Sequence, residues 1–490
     1  MTATAQTAAG WSRPVALTVA AAFFLEQIDG TILATALPAI ARDLGVRPGD
    51  AGLAMTAYLI TVAACIPVSG WLSERFGGRR VFLVAVAGFV AASVLCGLSS
   101  SLAMLVAGRV VQGVAGAMMV PVGRFIVLAG TAKADLVRAV AYLTWPALAA
   151  PVIAPFLGGV ITQYAGWPWI FFVNVPLGAV LLAVAWRVIP AADSAADSAV
   201  PAGIDVRTLL LVMAGTVGLV VGLELVADTR RLPVAAALLA VAALGLGWAV
   251  RRARRVPTPL LDLRSFARPT FRAANTGGVA YRVAVNSVPF LLPLLLQDGF
   301  GWSPVEAGLM VMWVFVGNLA IKPVTTPLLR ALGFRALIAA SSAGLAATMV
   351  VCALVTPQTP VAVMAAVFLL SGVFRSVGYT GYNTMQFADV PAGQMNGAST
   401  LSSTVVQLAN GLGIALAAVT VRAVDAVAHP AAPSGLLGYR VALVALAVVA
   451  VLSTVALLRL PPGAADHVRH PRRERAAEPA GPRTTRSSRA

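Results

Sequence analysis

The sequence predicts an all-α polytopic membrane protein with fourteen transmembrane helices and both termini on the cytoplasmic side. Three observations predict it. Of 490 residues, 59% are hydrophobic and 11% are charged, where an ordinary soluble domain carries about 25% charged residues; the mean hydropathy is +0.86. The apolar residues gather into runs that cross a hydrocarbon core at about 20 residues per helix. The cations collect in alternate connectors, as the positive-inside bias requires.

In order, the runs fall at 14–36, 52–72, 81–99, 103–126, 139–162, 168–188, 206–227, 233–250, 271–297, 304–328, 335–355, 361–386, 397–421 and 438–459. The first resembles a signal peptide at Ala34-Thr35-Ala36, but it is too long for an h-region and carries Glu26 and Asp29, so it is read as a span. Arg75, Arg79 and Arg80 crowd one short connector after the second run, which places that connector inside. Parity then places Lys133 with Arg138, and Arg330 with Arg335, on the same side. The densest inner cluster is Arg251-Arg252-Ala253-Arg254-Arg255, continuing to Arg264, Arg268 and Arg272. Outside, Arg42 and Arg47 are balanced by Asp43 and Asp50, while Arg230 and Arg231 run against the bias.

The loop Arg75-Phe76-Gly77-Gly78-Arg79 has a faint echo in Arg330-Ala331-Leu332-Gly333-Phe334-Arg335 after the tenth run. If spans 1–6 and 9–14 are equivalent halves, both loops join the second and third helix of their half. Spans seven and eight then form an inserted hairpin. Transporters built from repeated halves hold their substrate at the interface near the bilayer midplane. The expected organisation is a cytoplasmic N-terminus (1–13), an N-terminal six-helix bundle (14–188), a linker (189–205) and the hairpin (206–250). A basic loop (251–270), a C-terminal six-helix bundle (271–459) and a disordered Arg-rich tail (460–490) follow.

Gly70, Leu72, Glu74, Arg75, Gly77, Arg79 and Arg80 spell G-x-L-x-[DE]-R-x-G-x-R-[RK] between spans two and three. This resembles the signature loop of the major facilitator superfamily, in which Asp usually stands where this chain has Glu74. The change keeps the charge and lengthens the arm. The resemblance implies the major facilitator fold of two six-helix bundles.

An ionisable group near the bilayer centre costs several kcal/mol on insertion scales, so those inside the runs are functional candidates. Asp29 lies nine residues before Pro38, roughly 13 Å along the helix, and Arg109 about 10 Å from the outer end of span four. Their similar depth suggests either that Asp29 takes and releases a coupling proton, with Arg109 as its switch, or that the two form a static ion pair. Burial and a neighbouring cation act in opposite senses on a carboxyl's affinity for its proton. Glu26, one turn earlier, either shares that proton, meets a cationic substrate or pairs with another helix.

In the second half, Arg282, Lys322 and Arg375 disfavour a cationic substrate and favour an anionic or zwitterionic one if they face a cavity, and are structural if they pair with carbonyls, Asp298 or Glu306. Met310, Met312 and Trp313, with Tyr379, Tyr382 and Met385, either line a cavity or pack in the core. Arg124, at the inner end of span four, is in range of Glu74. Pro151, Pro155, Gly158 and Gly159 allow span five to bend or to pack closely.

Taken in order, Asp29-Gly30-Thr31-Ile32 with Ala36-Leu37-Pro38, Arg109 through Gln112-Gly113 to Gly116-Ala117 and Pro121, and Pro155 with Gly158-Gly159 resemble the fourteen-span drug:proton antiporters of the superfamily, the EmrB/QacA type. That resemblance implies proton antiport through Asp29 and Arg109. It also implies gating by the Gly70–Arg80 loop and by Pro155-Gly158-Gly159. The expected function is efflux of small amphipathic compounds by a monomer in the cell membrane, with the proton gradient as energy source and no cofactor. Export of one metabolite, or uptake by symport, is the alternative on the same fold.

Other classes fit poorly. The net charge of +17 suggests a nucleic-acid partner, but the cations sit in membrane connectors and the tail. Lys133 and Lys322 are the two lysines and neither follows glycine, so there is no Walker A loop for ATP. His429, His467 and His470 lie outside the runs, leaving no intramembrane histidine base or His/Cys metal cluster. Cys65, Cys96 and Cys352 lie within apolar runs without metal or redox spacing. An enzyme would have to work with carboxylates alone.

Overall fold

The computed structural model describes residues 13–129, 136–190, 206–226, 231–253, 255, 263–391, 395–427, 435–458 and 460. Most of the linker and tail, Lys133, part of the basic loop and the side chains of Glu74 and Arg138 lie outside the described residues.

Apolar runs without polar partners for their backbone must close every hydrogen bond internally in lipid, and helices do so. Among the described residues the regular structure is helical throughout. The first half comprises α1 (Arg13–Asp43), α2 (Pro48–Ala51), α3 (Leu53–Phe76), α4 (Gly78–Gly97), α5 (Leu102–Ala129), α6 (Leu136–Tyr164), α7 (Trp169–Phe172) and α8 (Asn174–Val188). The hairpin is α9 (Val206–Leu225) and α10 (Leu232–Ala253). The second half comprises α11 (Pro269–Leu294), continued by a π turn over Leu295–Gly299, then α12 (Pro304–Ala320), α13 (Lys322–Leu354), α14 (Val361–Met385), α15 (Met395–Val427), α16 (Gly435–Leu452) and α17 (Val455–Leu458). Eleven helices among the described residues are long and apolar enough to cross a membrane, and three shorter apolar helices, Ala149–Tyr164, Leu210–Leu223 and Pro304–Ala320, fall within the remaining predicted runs.

The two short loops share a backbone. Gly77 has φ 82° and ψ 133°, and Gly333 has φ 78° and ψ 164°. L side chains are excluded from this region, so each loop turns on a glycine. Gly78, by contrast, already begins α4. Gly333 divides α13: its first part continues α12 beyond a bend at Ile321, and its second part is the following span. The start of α12 is fixed by a capping box in which Ser303 and Glu306 satisfy each other's backbone N–H groups, with Pro304 following. Glu306 is therefore a helix cap, and Asp298 accepts from Tyr439 Oη at 2.8 Å.

Lipid tails supply no hydrophobic drive between helices, so association relies on close approach at small residues. A Cβ at Gly113 of α5 would collide with the Tyr58 carbonyl of α3, and one at Gly372 of α14 with the Val314 carbonyl of α12. These are the fourth and second spans of each half, packed in the same way. The halves then meet crosswise. α3 packs on α15 and α6 on α12, the second span of each half against the fifth of the other, and α1 also touches α11. α9 and α10 pack on each other, and α9 lies against α3 and α15, outside that seam. Exposed Val180, Trp186, Val241 and Leu244 give the outer faces the apolar surface that lipid demands.

Candidate functional site

Within the first bundle, five spans converge on one carboxylate. Asp29 and Arg109 are each 1% exposed and form an ion pair, with Arg109 Nη1 2.5 Å from Asp29 Oδ2. The same Nη1 donates to Gln112 Oε1 at 2.6 Å, and Arg109 Nε donates to the Ala54 carbonyl at 3.3 Å. Gln112 and Arg109 are three residues apart and so share a helix face. Gln112 Nε2 donates to Asp29 Oδ1 at 3.0 Å and to Ser93 Oγ at 2.9 Å. Asn174 Nδ2 donates to Asp29 Oδ1 at 2.8 Å. The guanidinium lies over the Tyr58 ring, 4.3 Å from its centroid, with Phe171 at 5.8 Å on another side.

Both oxygens of Asp29 are thus held by donors, two of them neutral amides. The two amides aimed at this buried carboxylate repay part of its desolvation, and the cation in contact repays more. Glu26 has a different setting. It is 9% exposed, accepts from Tyr58 Oη at 3.4 Å through Oε1, and its Oε2 is without a hydrogen-bond partner. Asn174 Oδ1 is likewise unpartnered. Two buried carboxyls, one saturated and one nearly bare, therefore stand three residues apart on α1.

The opposite face of that turn leads elsewhere. Gln27 is exposed to a cavity of about 290 Å³ between the halves. Asn286 of α11, Asn318 of α12 and Asn410 of α15 add amides to its wall, while Pro151, Phe315 and Leu319 supply apolar surface. Lys322, Arg375, Ser376 and Tyr379 complete it. α1 thus carries the buried ion pair on one side and the cavity on the other.

The other predicted cavity residues are placed differently. Arg282 is fully buried and donates from Nη2 to Asn383 Oδ1 at 2.7 Å and from Nη1 to the Ala274 carbonyl at 3.3 Å. It stays inside its own half because α11 and α14 give it acceptors there. Tyr382 is buried and donates to the Ser453 carbonyl at 3.0 Å. Met310 belongs to the apolar core, and Trp313 is 37% exposed. Lys322 donates to Thr380 Oγ1 at 3.1 Å. None of these cations reaches Asp298 or Glu306, whose partners are Tyr439 and Ser303.

Hydrogen bonds between the halves gather at the end of the predicted outer connectors. Gln297 Nε2 donates to the Thr35 carbonyl at 2.8 Å, and Val305 N–H to Gln163 Oε1 at 3.3 Å. Arg422 Nη1 of α15 pairs with Asp50 Oδ1 at 3.2 Å. The span-five glycines lie here: a Cβ at Gly159 would strike the Pro304 carbonyl, one at Gly158 would strike Thr35, and one at Gly308 would strike the Pro155 carbonyl. α6 and α12 therefore touch backbone to backbone through Gly159 and Gly308.

At the opposite end, Arg79 donates to the Trp186 carbonyl at 2.5 Å and lies 5.2 Å from the Trp186 ring centroid, tying the loop to the end of α8. Gly70, Arg75 and Arg80 are exposed. Arg124 lies over the Phe23 ring at 5.6 Å; its proposed partner, the Glu74 side chain, is outside the described residues.

Gln112 and Asn174 were visible in the sequence as polar residues in apolar runs, Gln112 at helical spacing from Arg109. Ser93 and Tyr58 gave no such signal, because single hydroxyls are ordinary in membrane helices.

Two packed helical bundles with apolar outer faces and a polar cavity between them define a membrane transport protein. The Major Facilitator Superfamily profile matches residues 19–258 and 274–489, and the chain belongs to that superfamily. It is a multi-pass protein of the inner membrane. It is 33% identical over 425 residues to a protein of Pectobacterium carotovorum named "Putative multidrug resistance protein MdtD", covering 85% of this chain and 88% of the relative. The like-named protein of Salmonella paratyphi B is 32% identical over 403 residues, covering 81% and 84%. Among solved structures, the POT family transporter PepTSo superposes with TM-score 0.66 at 12% identity, covering 94% of this chain and 99% of that one. A D-xylose-proton symporter superposes with TM-score 0.63 at 14% identity, covering 92% and 98%. These structures share the fold.

Proposed function

We propose that this secondary transporter is an exporter that exchanges protons for a small molecule held in the cavity between its halves. The observation that carries the reading is the buried Asp29–Arg109 pair on a helix whose other face lines that cavity. Asp29 takes the proton when Arg109 withdraws to Gln112, and releases it when the pair re-forms. Glu26 is a second carboxyl for the same proton. The halves rock about their crosswise contacts, and the present arrangement is the one closed at the outer end. The relatives named for multidrug resistance support efflux. Fourteen spans, cytoplasmic termini, two bundles with an inserted hairpin, a gating role for the Gly70–Arg80 loop, monomeric action, and dependence on the proton gradient without a cofactor complete the proposal.

The polar wall of the cavity favours a second reading on the same fold. Its volume is at the small end of ligand pockets, which run about 300–1,000 Å³ and are mostly apolar. Four amides and two cations suit one polar metabolite better than a range of lipophilic drugs.

The test is luminal pH in inverted vesicles, with candidate substrates added to the wild type and to Asp29→Asn. Substrate-dependent proton efflux that vanishes in the variant, at equal folded protein, is expected. Undiminished proton movement in the variant would remove Asp29 from the mechanism.

A further inference from the structure

We infer that the cavity binds an organic anion, with its carboxylate, phosphate or sulfonate held between Lys322 and Arg375. This deepens the proposed function and rests on the cavity being the transported molecule's chamber. Both cations line the cavity, and no carboxylate stands among the described residues that line it with them. They come from different helices, α13 and α14, and the structure brings these two of the three intramembrane cations of the second half to one cavity.

Arg375 and Arg282 show the contrast that matters. Arg282 donates from both terminal nitrogens to acceptors of its own half, a side-chain amide and a backbone carbonyl, and only its Nε is unpartnered. Arg375 differs at the end of its side chain. Its Nη1 is buried without a hydrogen-bond partner, and the neighbouring Ser376 Oγ is in the same condition. The guanidinium is held in place from another side, over the Phe315 ring at 5.2 Å. A ring fixes the orientation of a guanidinium but leaves its in-plane N–H donors free. Lys322 donates to Thr380 Oγ1, a neutral acceptor, which leaves its charge unanswered by that bond.

Two cations lining one cavity repel one another, and an anion between them converts that repulsion into two charge-assisted hydrogen bonds. A lipophilic cation would add a third like charge. The remaining wall fits an amphipathic anion. Phe315, Leu319, Pro151 and the Tyr379 ring offer apolar contact to its body, and Gln27, Asn286 and Asn318 offer hydrogen bonds to its polar substituents.

The experiment uses purified full-length protein in nanodiscs and a series sharing one aromatic body: 2-naphthoate, 2-naphthalenemethanol and (2-naphthylmethyl)trimethylammonium. Binding is read by isothermal titration. Naphthoate is expected to bind at least tenfold more tightly than the alcohol, and the ammonium compound not measurably. Lys322→Gln combined with Arg375→Gln is expected to weaken naphthoate at least tenfold. Charge-preserving Lys322→Arg and Arg375→Lys keep the preference for anions and show that loss in the double variant is loss of charge, not of fold. Phosphatidylcholine and phosphatidylglycerol discs separate two sources of the anion. Weaker naphthoate binding in phosphatidylglycerol identifies a lipid headgroup as occupant, and equal binding identifies a free solute. Equal binding of the ammonium compound, or unchanged naphthoate binding in the double variant, overturns the inference. Because binding is measured without transport, naphthoate binding without proton exchange would instead count against the exporter reading alone.

Discussion

In the proposed rocking of the halves, the pair between Asp50 and Arg422 sets a measurable fraction of the closure at the predicted outer end. Arg422 is 7% and Asp50 24% exposed, with 3.2 Å between Nη1 and Oδ1. Fully exposed pairs contribute about 0.2–1 kcal/mol, and breaking a fully buried one costs about 3–5 kcal/mol. A pair at this partial exposure falls between, at about 1–2 kcal/mol. Asp50 is also held by Arg47 at 2.9 Å, but Arg47 lies three residues away on the same half and is 65% exposed, so its reach across to Asp425 of α15 is screened by water. Asp50→Asn should therefore shift the ratio of closed to open outer ends by roughly five- to thirty-fold toward open. Spin labels at Leu44→Cys and Leu437→Cys, on opposite halves at that end, report the ratio as a distance distribution. The native cysteines Cys65, Cys96 and Cys352 are buried. Arg47→Gln should shift the ratio less than about twofold. An unchanged distribution in Asp50→Asn, or a shift in Arg47→Gln of the same size, would refute the argument.

Two further outcomes separate folding from function. Arg282→Gln leaves the Asn383 carbonyl oxygen without its donor, at about 1–3 kcal/mol for a buried acceptor; Arg375→Gln removes a charge already lacking a partner at Nη1. Thermal melting in detergent should fall clearly for the first and little for the second. Gly77→Ala and Gly333→Ala each force an L residue to φ near 80°, at about 1–3 kcal/mol, so both should lower the melting temperature by similar amounts. Gly70→Ala, in ordinary helical backbone of α3 with nothing within 4 Å of the added Cβ, provides the control.

The inserted charges were legible in the sequence because the bilayer makes them expensive: Asp29 and Arg109 stood out as ionisable groups in apolar runs, and one depth estimate put them level. The donors that saturate Asp29 were not legible as a set. Gln112, Ser93 and Asn174 come from three helices, and their convergence depends on how those helices rotate about their axes. The repeat was faint as Arg-x-x-Gly-x-Arg against Arg-Phe-Gly-Gly-Arg, because side chains had diverged. It is plain in the backbone, where Gly77 and Gly333 adopt nearly the same dihedrals.

What the sequence alone determined is the class and where the apolar helices lie, since hydropathy acts through the bilayer locally and needs no knowledge of neighbours. What the tertiary structure decided is which intramembrane cations face the cavity. Arg282 and Arg375 look alike in sequence, each a lone arginine near mid-span. One bonds Asn383 and the Ala274 carbonyl inside its own half; the other lines the cavity beside Lys322. A charge in a membrane is tolerated by whatever surrounds it, and those surroundings come from helices up to a hundred residues away.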